Sequence, residues 1–231
     1  PAALLRRANL ALQHARASGV GNWSAFHAEM GRVAEYRQWI ESELHVAFRR
    51  GDFEVHYQPQ LDLSTGRVVG YEALSRGPQG SVLEQPDRLF AAAGACGRTL
   101  DMELHCAVLA LRRTRGRLPP GRFLALNLGP QALACATQRL PLQGRRDVLF
   151  ELTEHLPLDG AMELSAAVTG LRAQGFGLAL DDTGCGFADL DTVRVLRPGI
   201  AKLCITVVRH AGQGALLDAD IAGSVARLHR L

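Results

Sequence analysis

The chain is expected to be an α/β protein, a parallel sheet covered by helices, with a TIM-like (β/α)8 barrel as the leading arrangement. Three observations predict this. Beyond Gly51, strand-like apolar runs alternate with helical periodicities through the rest of the 231 residues. A composition of 47% hydrophobic and 21% charged residues suits an ordinary buried core and excludes disorder and fibrous repeats. Acids and amides fall at the ends of the strand-like runs, where barrels place their chemistry. Only six such runs are visible, and closing a barrel takes about eight, so the barrel is expected to be incomplete within this chain.

Taken in order, Ala2 to Ser18 carries Leu4, Leu5, Ala8, Leu12 and Ala15 at helical spacing and stops at Gly19. After the turn cluster Gly19–Asn22, Trp23 to Phe26 is predicted as a short strand. Glu29 to Arg50 runs helically through Val33, Tyr36, Ile40, Leu44 and Phe48. Two arginines and Gly51 end it, as suits a helix C-terminus and a rigid connector. Phe53–Leu63 and Arg67–Ser75 form two strands around Ser64–Thr65–Gly66, a hairpin signal. Helices follow at Pro86–Cys96 and Thr99–Arg115, then a strand at Arg122–Leu128 and a short helix at Gln131–Arg139. Strands at Asp147–Leu152, Gly177–Asp181 and Ile200–Ile205 then alternate with helices at Leu158–Gln174, Ala188–Leu196 and Leu216–His229.

Charge and cysteine usage exclude several classes. The formal net charge is only +3, Lys202 is the sole lysine, and the arginine doublets at 6–7, 49–50, 112–113 and 145–146 are dispersed. They read as solvated faces rather than a nucleic-acid stripe. Five cysteines without a CxxC pair argue for a reducing compartment, against a disulfide framework and against structural zinc. Cys185 and Cys204 read as small fillers. No apolar run approaches the roughly 18–20 residues of a membrane span. The chain opens at Pro1 without a secretory h-region, so it is expected to be an excised piece of a longer, cytoplasmic protein, with membrane attachment through upstream segments left open.

Glu72, Asn127, Glu151, Asp181 and Asp182 all fall at or just past strand ends, and Lys202 lies on the next strand. Successive separations of 55, 24, 30 and 20 residues leave room for a parallel crossover each time. In a barrel these groups converge on one mouth. Singly, each has a plain structural role: Glu72 pairing with Arg76, Asn127 capping a turn, Asp182 in an Asx turn. Together, four carboxylates repel unless a cation neutralises them. An all-oxygen set with one amide suits Mg²⁺ or Mn²⁺ better than zinc. The Asp181–Asp182 pair could serve two ions, as in phosphodiester hydrolysis, with a lysine to stabilise phosphate charge or orient water.

At these residues the sequence resembles the EAL-domain family of bacterial cyclic di-GMP phosphodiesterases. Phe53–Gln60 resembles the family's opening strand, and Tyr71–Arg76 contains the namesake Glu72–Ala73–Leu74. Asn127–Leu128, Glu151–Leu152–Thr153–Glu154, Asp181–Asp182–Thr183–Gly184 and Lys202 match further family motifs in order. The resemblance implies a barrel whose first strand runs antiparallel to the rest. It implies Glu72, Asn127, Glu151 and Asp181 as ligands of one Mg²⁺ or Mn²⁺, with Asp181 and Asp182 serving a second ion. Lys202 would contact the nucleophilic water or scissile phosphate, so that Lys202, Asp182 and Glu72 carry catalysis. Gln58 and Arg76 would contact the nucleotide, and Glu154 would anchor the loop Thr183–Leu190. The implied reaction opens one phosphodiester of cyclic di-GMP to give linear pGpG, with a homodimer in the complete protein.

Residues 1–29 resemble the C-terminal end of a GGDEF domain, which sets expected boundaries of 1–29 for that remnant, 30–50 for a helical linker and 51–231 for the truncated EAL-like barrel. An upstream GGDEF or sensor domain is the implied partner, and nucleic acid is not. Departures from the family pattern shape a second hypothesis. Cys204 stands where aspartate is usual, and the loop reads Thr183–Gly184–Cys185–Gly186–Phe187–Ala188–Asp189, with Thr183 for the usual Phe. A further catalytic glutamate of the family lies on a strand past Leu231. The alternative is therefore a degenerate EAL domain that acts as a cyclic di-GMP receptor or interaction module. With six strands, turnover by this chain itself is expected to be impaired.

Overall fold

Alternation of apolar residues at period two and at period 3.6 yields six strands and seven helices among the described residues. The computed structural model describes residues 2–17, 19, 21–153, 158–183 and 190–205, with 209, 222, 223, 225 and 226 beyond them; the side chains of 158, 182, 183, 190 and 191 are outside the description. The helix expected over Leu216–His229 and the loop anchor Glu154 fall largely or wholly outside it. Two compact units emerge, Pro1–Phe53 with Arg76–Arg98, and Glu54–Ser75 with Thr99–Leu231.

In the first unit, α1 (Ala2–Ala17) and α2 (Ala28–Arg50) pack together, burying Ala11 and Ala15 of the former. Helix α2 buries Ile40, Leu44 and Ala47, a four- and three-residue spacing that keeps them on one face. It ends at Gly51, whose φ of 68° places it in the left-handed region and lets its N–H reach the Ala47 carbonyl at 2.9 Å. Helix α3 (Pro86–Ala95) opens with proline at its first turn, where no hydrogen bond is lost. The Arg98 guanidinium stacks 4.0 Å above the Phe48 ring, which meets Phe53 edge-on. The short strand expected at Trp23–Phe26 does not form: residues 22–27 have no regular structure, and Trp23 is exposed. A lone strand without a sheet neighbour cannot satisfy its backbone.

The second unit is built on a six-stranded sheet in the order β1-β2-β3-β4-β5-β6, the sequential order of a (β/α) barrel. Its strands are β1 (Glu54–Leu61), β2 (Val68–Arg76), β3 (Phe123–Leu128), β4 (Val148–Leu152), β5 (Gly177–Thr183) and β6 (Ile200–Leu203). From β2 to β6 every neighbouring pair is parallel. The connection between β1 and β2 is too short for a parallel crossover, so the first strand runs the other way. That turn is fixed by Asp62, whose carboxylate accepts from the backbone N–H groups of Ser64 (2.8 Å) and Thr65 (3.0 Å). Helices α4 (Thr99–Thr114), α5 (Pro130–Arg139), α6 (Leu158–Ala173) and α7 (Leu190–Leu196) supply the crossovers.

Strand alternation sorts each strand's residues into two faces. Val55, Ala73, Leu124, Leu126, Leu128, Val148, Phe150, Leu152, Leu178 and Leu180 join helix residues such as Leu111, Leu133 and Leu164 in the main core. The opposite face carries Ala125, Leu149 and Ala179 with Phe123 against them. Space on that inner face is made by glycine. A Cβ on Gly70 would lie 2.4 Å from the Phe123 ring, and one on Gly177 would lie 2.7 Å from Leu149. Directly along the strands from this small apolar layer come Glu72, Asn127, Glu151 and Asp181.

One arginine departs from the solvated-face expectation. Arg145 is buried, holds Asp147 through two contacts of 2.7 and 3.0 Å, and donates to the Leu111 carbonyl at 3.0 Å. It closes the end of α4 onto the start of β4. Among the described residues no helix is long and apolar enough to cross a membrane. Arg145→Met should lower the unfolding free energy by about 3 kcal/mol, because Asp147 and the α4 carbonyl lose their partner. Urea denaturation checks this; a loss under about 1 kcal/mol would reduce Arg145 to a surface residue.

Candidate metal centre

The inner-face positions just beyond the apolar layer meet at the carboxyl ends of the parallel strands. Asn127 and Glu151 are direct register partners on β3 and β4. Glu72 lies opposite Ala125, and Glu151 opposite Ala179. One oxygen each from Glu72, Glu151 and Asp181 lies within 4.8 Å of the others. The Asn127 amide donates to Glu72 Oε1 at 2.8 Å. The four residues expected to share an ion therefore come from four successive strands and face one spot.

Lys202 enters from β6. Its Nζ donates to Glu151 Oε2 at 2.9 Å, Asp181 Oδ2 at 3.1 Å and Glu72 Oε2 at 3.2 Å, matching its three donors with three carboxylates. Burial pushes the Glu151 carboxyl above its ordinary range; the Lys202 hydrogen bond opposes this, and the Glu72 charge adds to it. Burial pulls Lys202 down, yet Glu151, Glu72 and Asp181 outweigh it and hold the ammonium above the usual lysine range. Three carboxyl groups gathered around one ammonium, one of them the fully buried Glu151, make a site whose acids outnumber its cations. Oxygen donors with that charge fit a hard divalent ion, Mg²⁺ or Mn²⁺, and do not fit a thiolate- or imidazole-seeking one.

A bulge marks the Asp181–Asp182 pair. Between the paired positions Leu180↔Ala201 and Thr183↔Leu203, β5 advances one residue more than β6. In a regular strand two neighbouring residues face opposite sides, and a bulge is the local device that re-aims one of them. The Asp182 side chain lies outside the described residues, as do Glu154 and the stretch 184–189.

Gln58 is exposed on β1, and Arg76 ends β2. Gln60, two residues after Gln58 and on the same strand face, donates to Glu151 Oε1 at 3.3 Å. Sequence reasoning missed Gln60; the repeat of glutamine at spacing two was the available signal. The filler reading of Cys204 is also corrected: this buried residue, directly after β6, is disulfide-bonded.

Fold and site together define a class: a six-stranded (β/α) half-barrel with a cluster of oxygen donors at the carboxyl ends of its parallel strands. The EAL domain family matches residues 41–231, and the chain belongs to it. Two curated relatives come from Pseudomonas aeruginosa. The cyclic di-GMP phosphodiesterase RocR is 31% identical over 71% of this chain and 43% of its own length, and the cyclic di-GMP phosphodiesterase NbdA is 30% identical over 84% of this chain and 26% of its own. Among solved structures, the Klebsiella pneumoniae BlrP1 manganese/cyclic di-GMP complex is 28% identical, covers 76% of this chain and 46% of that one, and superposes with a TM-score of 0.64. The chain spans less than half the length of these curated relatives.

Removing the ammonium tests the charge balance. Without it the Glu151 carboxyl, already raised by burial, loses the hydrogen bond that opposes the rise and moves further above its ordinary range. A raised folded pKa gives stability that is present below the unfolded value and lost as pH climbs through the folded one. In metal-free buffer Lys202→Met should cost about 3 kcal/mol at pH 7.5 and distinctly less near pH 5. Urea melts at the two pH values check it, and equal losses would mean that the ion pairs carry no net stability.

Proposed function

We propose that this chain carries the metal-dependent site of a cyclic di-GMP phosphodiesterase, which opens one phosphodiester to give linear pGpG. The observation that carries the reading is the meeting of Glu72, Glu151 and Asp181 within 4.8 Å beside Asn127 and Lys202. The relatives named as cyclic di-GMP phosphodiesterases support the substrate class.

On this reading Glu72, Asn127, Glu151 and Asp181 hold one Mg²⁺ or Mn²⁺, and Asp181 with Asp182 holds a second. The ions supply polarisation of a phosphoryl oxygen and neutralisation of its growing charge. The protein's own groups do the positioning. Gln60 and Asn127 orient Glu151 and Glu72 through their amide donors, so that each carboxylate turns an oxygen toward the centre. Lys202 stays cationic and aims its N–H donors at the nucleophilic water or the scissile phosphate. Gln58 and Arg76 bind the nucleotide, Arg76 at phosphate, and Glu154 anchors the segment that follows β5. Residues 1–29 form the end of a GGDEF-like domain and 30–50 its connector, in a bacterial signalling protein that works as a homodimer.

A second reading rests on one observation: Cys204, in the place where aspartate is usual, is disulfide-bonded. That makes a cyclic di-GMP receptor without turnover the alternative. Calorimetric titration of cyclic di-GMP with Ca²⁺, followed by a pGpG assay with Mg²⁺ or Mn²⁺, separates the two. The phosphodiesterase reading expects binding in both media and pGpG in the second. Binding without product would establish the receptor, and no binding would remove both.

Two variants refine the assignment. Glu72→Ala should reduce metal-dependent pGpG formation by about 100-fold or more; near-parental rates would break the metal assignment. Lys202→Ala should lower turnover more than Mn²⁺ affinity, and the reverse order would move Lys202 out of the reaction.

A further inference from the structure

We infer that the cavity between α6 and α7 is a binding site for a small organic phosphate, a phosphomonoester on a body of about nucleotide size. The site lies apart from the metal centre, and the inference does not depend on that reading. The cavity has a volume of about 530 Å³, within the range of small-molecule sites. Arg172, Arg194 and Arg197 line it, and none of its lining residues is acidic.

The helix periodicity that builds the core also builds this wall. Helix α6 buries Ala161, Leu164, Val168 and Leu171 in the main core. Met162, Ser165, Thr169 and Arg172 each follow one of these by a single residue, so they form a second stripe about 100° further round the helix, beside the cavity. From α7, Val193 and Leu196 are buried, and Arg194 and Val195 between them reach the cavity. Arg197, directly after the helix, completes the lining. All of these residues belong to the helical layer, whereas Glu72, Glu151 and Asp181 meet on the sheet.

The chemistry of the lining selects phosphate. A guanidinium offers a planar fork of N–H donors that matches phosphate geometry. Three of them around one cavity suit a doubly charged phosphomonoester better than a single carboxylate. Arg172 is already held in place: its Nη2 donates to the Leu196 and Arg197 carbonyls, which accept hydrogen bonds without cancelling its charge. Thr169 donates its hydroxyl proton to the Ser165 carbonyl at 2.9 Å, so the Ser165 hydroxyl is the neutral donor left among the lining side chains. Met162 and Val195, with the arginine stems, supply apolar surface for the ligand's organic part.

Arg197 supplies an independent pointer. Its φ of 46° makes it the one non-glycine residue in the left-handed region among the described residues. Its N–H reaches the Val193 carbonyl at 2.7 Å and so ends α7 at a position where glycine is the ordinary choice. Gly51 takes that role at the end of α2. An arginine there carries backbone strain that glycine would avoid, and what it adds is a side chain lining the cavity. The Arg197 carbonyl also receives Arg172, so the strained turn and that guanidinium are fixed together.

Calorimetric titration of the 231-residue chain with AMP, adenosine and inorganic phosphate in metal-free buffer tests the site. AMP should bind with a Kd below about 1 mM, inorganic phosphate about threefold more weakly or worse, and adenosine not measurably. Arg197→Gly removes the guanidinium and relieves the backbone together, so AMP affinity should fall about tenfold or more while the urea midpoint holds or rises. Arg194→Gln should weaken AMP by a similar factor. Glu72→Ala, in the carboxylate cluster, should leave AMP binding at the parental value. No AMP binding, adenosine bound as well as AMP, or parental AMP affinity in both arginine variants overturns the site. Loss of AMP binding in Glu72→Ala moves the ligand to the strand ends and overturns it equally. Inorganic phosphate bound as tightly as AMP overturns the assignment of an organic ligand.

Discussion

Lys202 brings a single positive charge into a group of three carboxylates on three different strands, and the arrangement of the strand ends follows from that balance. At an effective dielectric near 20, two carboxylates under 4.8 Å apart repel by roughly 3–4 kcal/mol, and an ammonium at about 3 Å attracts each by roughly 5. Three attractions therefore exceed three repulsions by about 3–6 kcal/mol in total, from which the desolvation of the fully buried Glu151 still has to be met. One ammonium is enough to keep the acids together and too little to satisfy them. A divalent charge in the same place would double the attraction.

The sheet makes such a cluster possible by separating its two faces. Toward the helices, leucines and Phe150 fill the space between β-strands and α4 to α7. On the inner face the apolar layer is thin, made of Ala125, Leu149 and Ala179 with Phe123, and the glycines at 70 and 177 leave the room those side chains occupy. The same period-two alternation then puts Asn127 two residues after Ala125, Glu151 two after Leu149 and Asp181 two after Ala179. Each polar ligand thus stands on an apolar support in its own strand. Parallel register between neighbours carries this from strand to strand, so the polar side chains form a row rather than a scatter.

How much of this could be read from residues alone divides along a physical line. Strand and helix positions were legible because burial imposes periodicity, and element limits differ by only a residue or two at most ends. The convergence of Glu72, Asn127, Glu151, Asp181 and Lys202 was legible because their order along the chain reflects successive strands of one sheet. What stayed hidden was pairwise choice. Arg145 looks like any half of an arginine doublet, and only tertiary structure reveals that it is buried between Asp147 and the end of α4. Gln60 and Gln58 share one strand face, and spacing cannot tell which of them reaches Glu151. Cys204 carries no mark of its bonded state in a chain whose odd cysteine count points to free thiols. The Trp23–Phe26 strand failed for the opposite reason, since local β-propensity there has no sheet to join.

The irregular end of the sheet is where these threads meet. A parallel ladder that ran without interruption from Ala179 to Leu203 would fix β5 and β6 in one pleat, and consecutive aspartates would then face opposite sides. The extra residue between Leu180 and Thr183 interrupts that ladder next to Asp181. It also removes ladder hydrogen bonds at the point where Asp181 and Lys202 must hold a fixed separation for their 3.1 Å contact to persist.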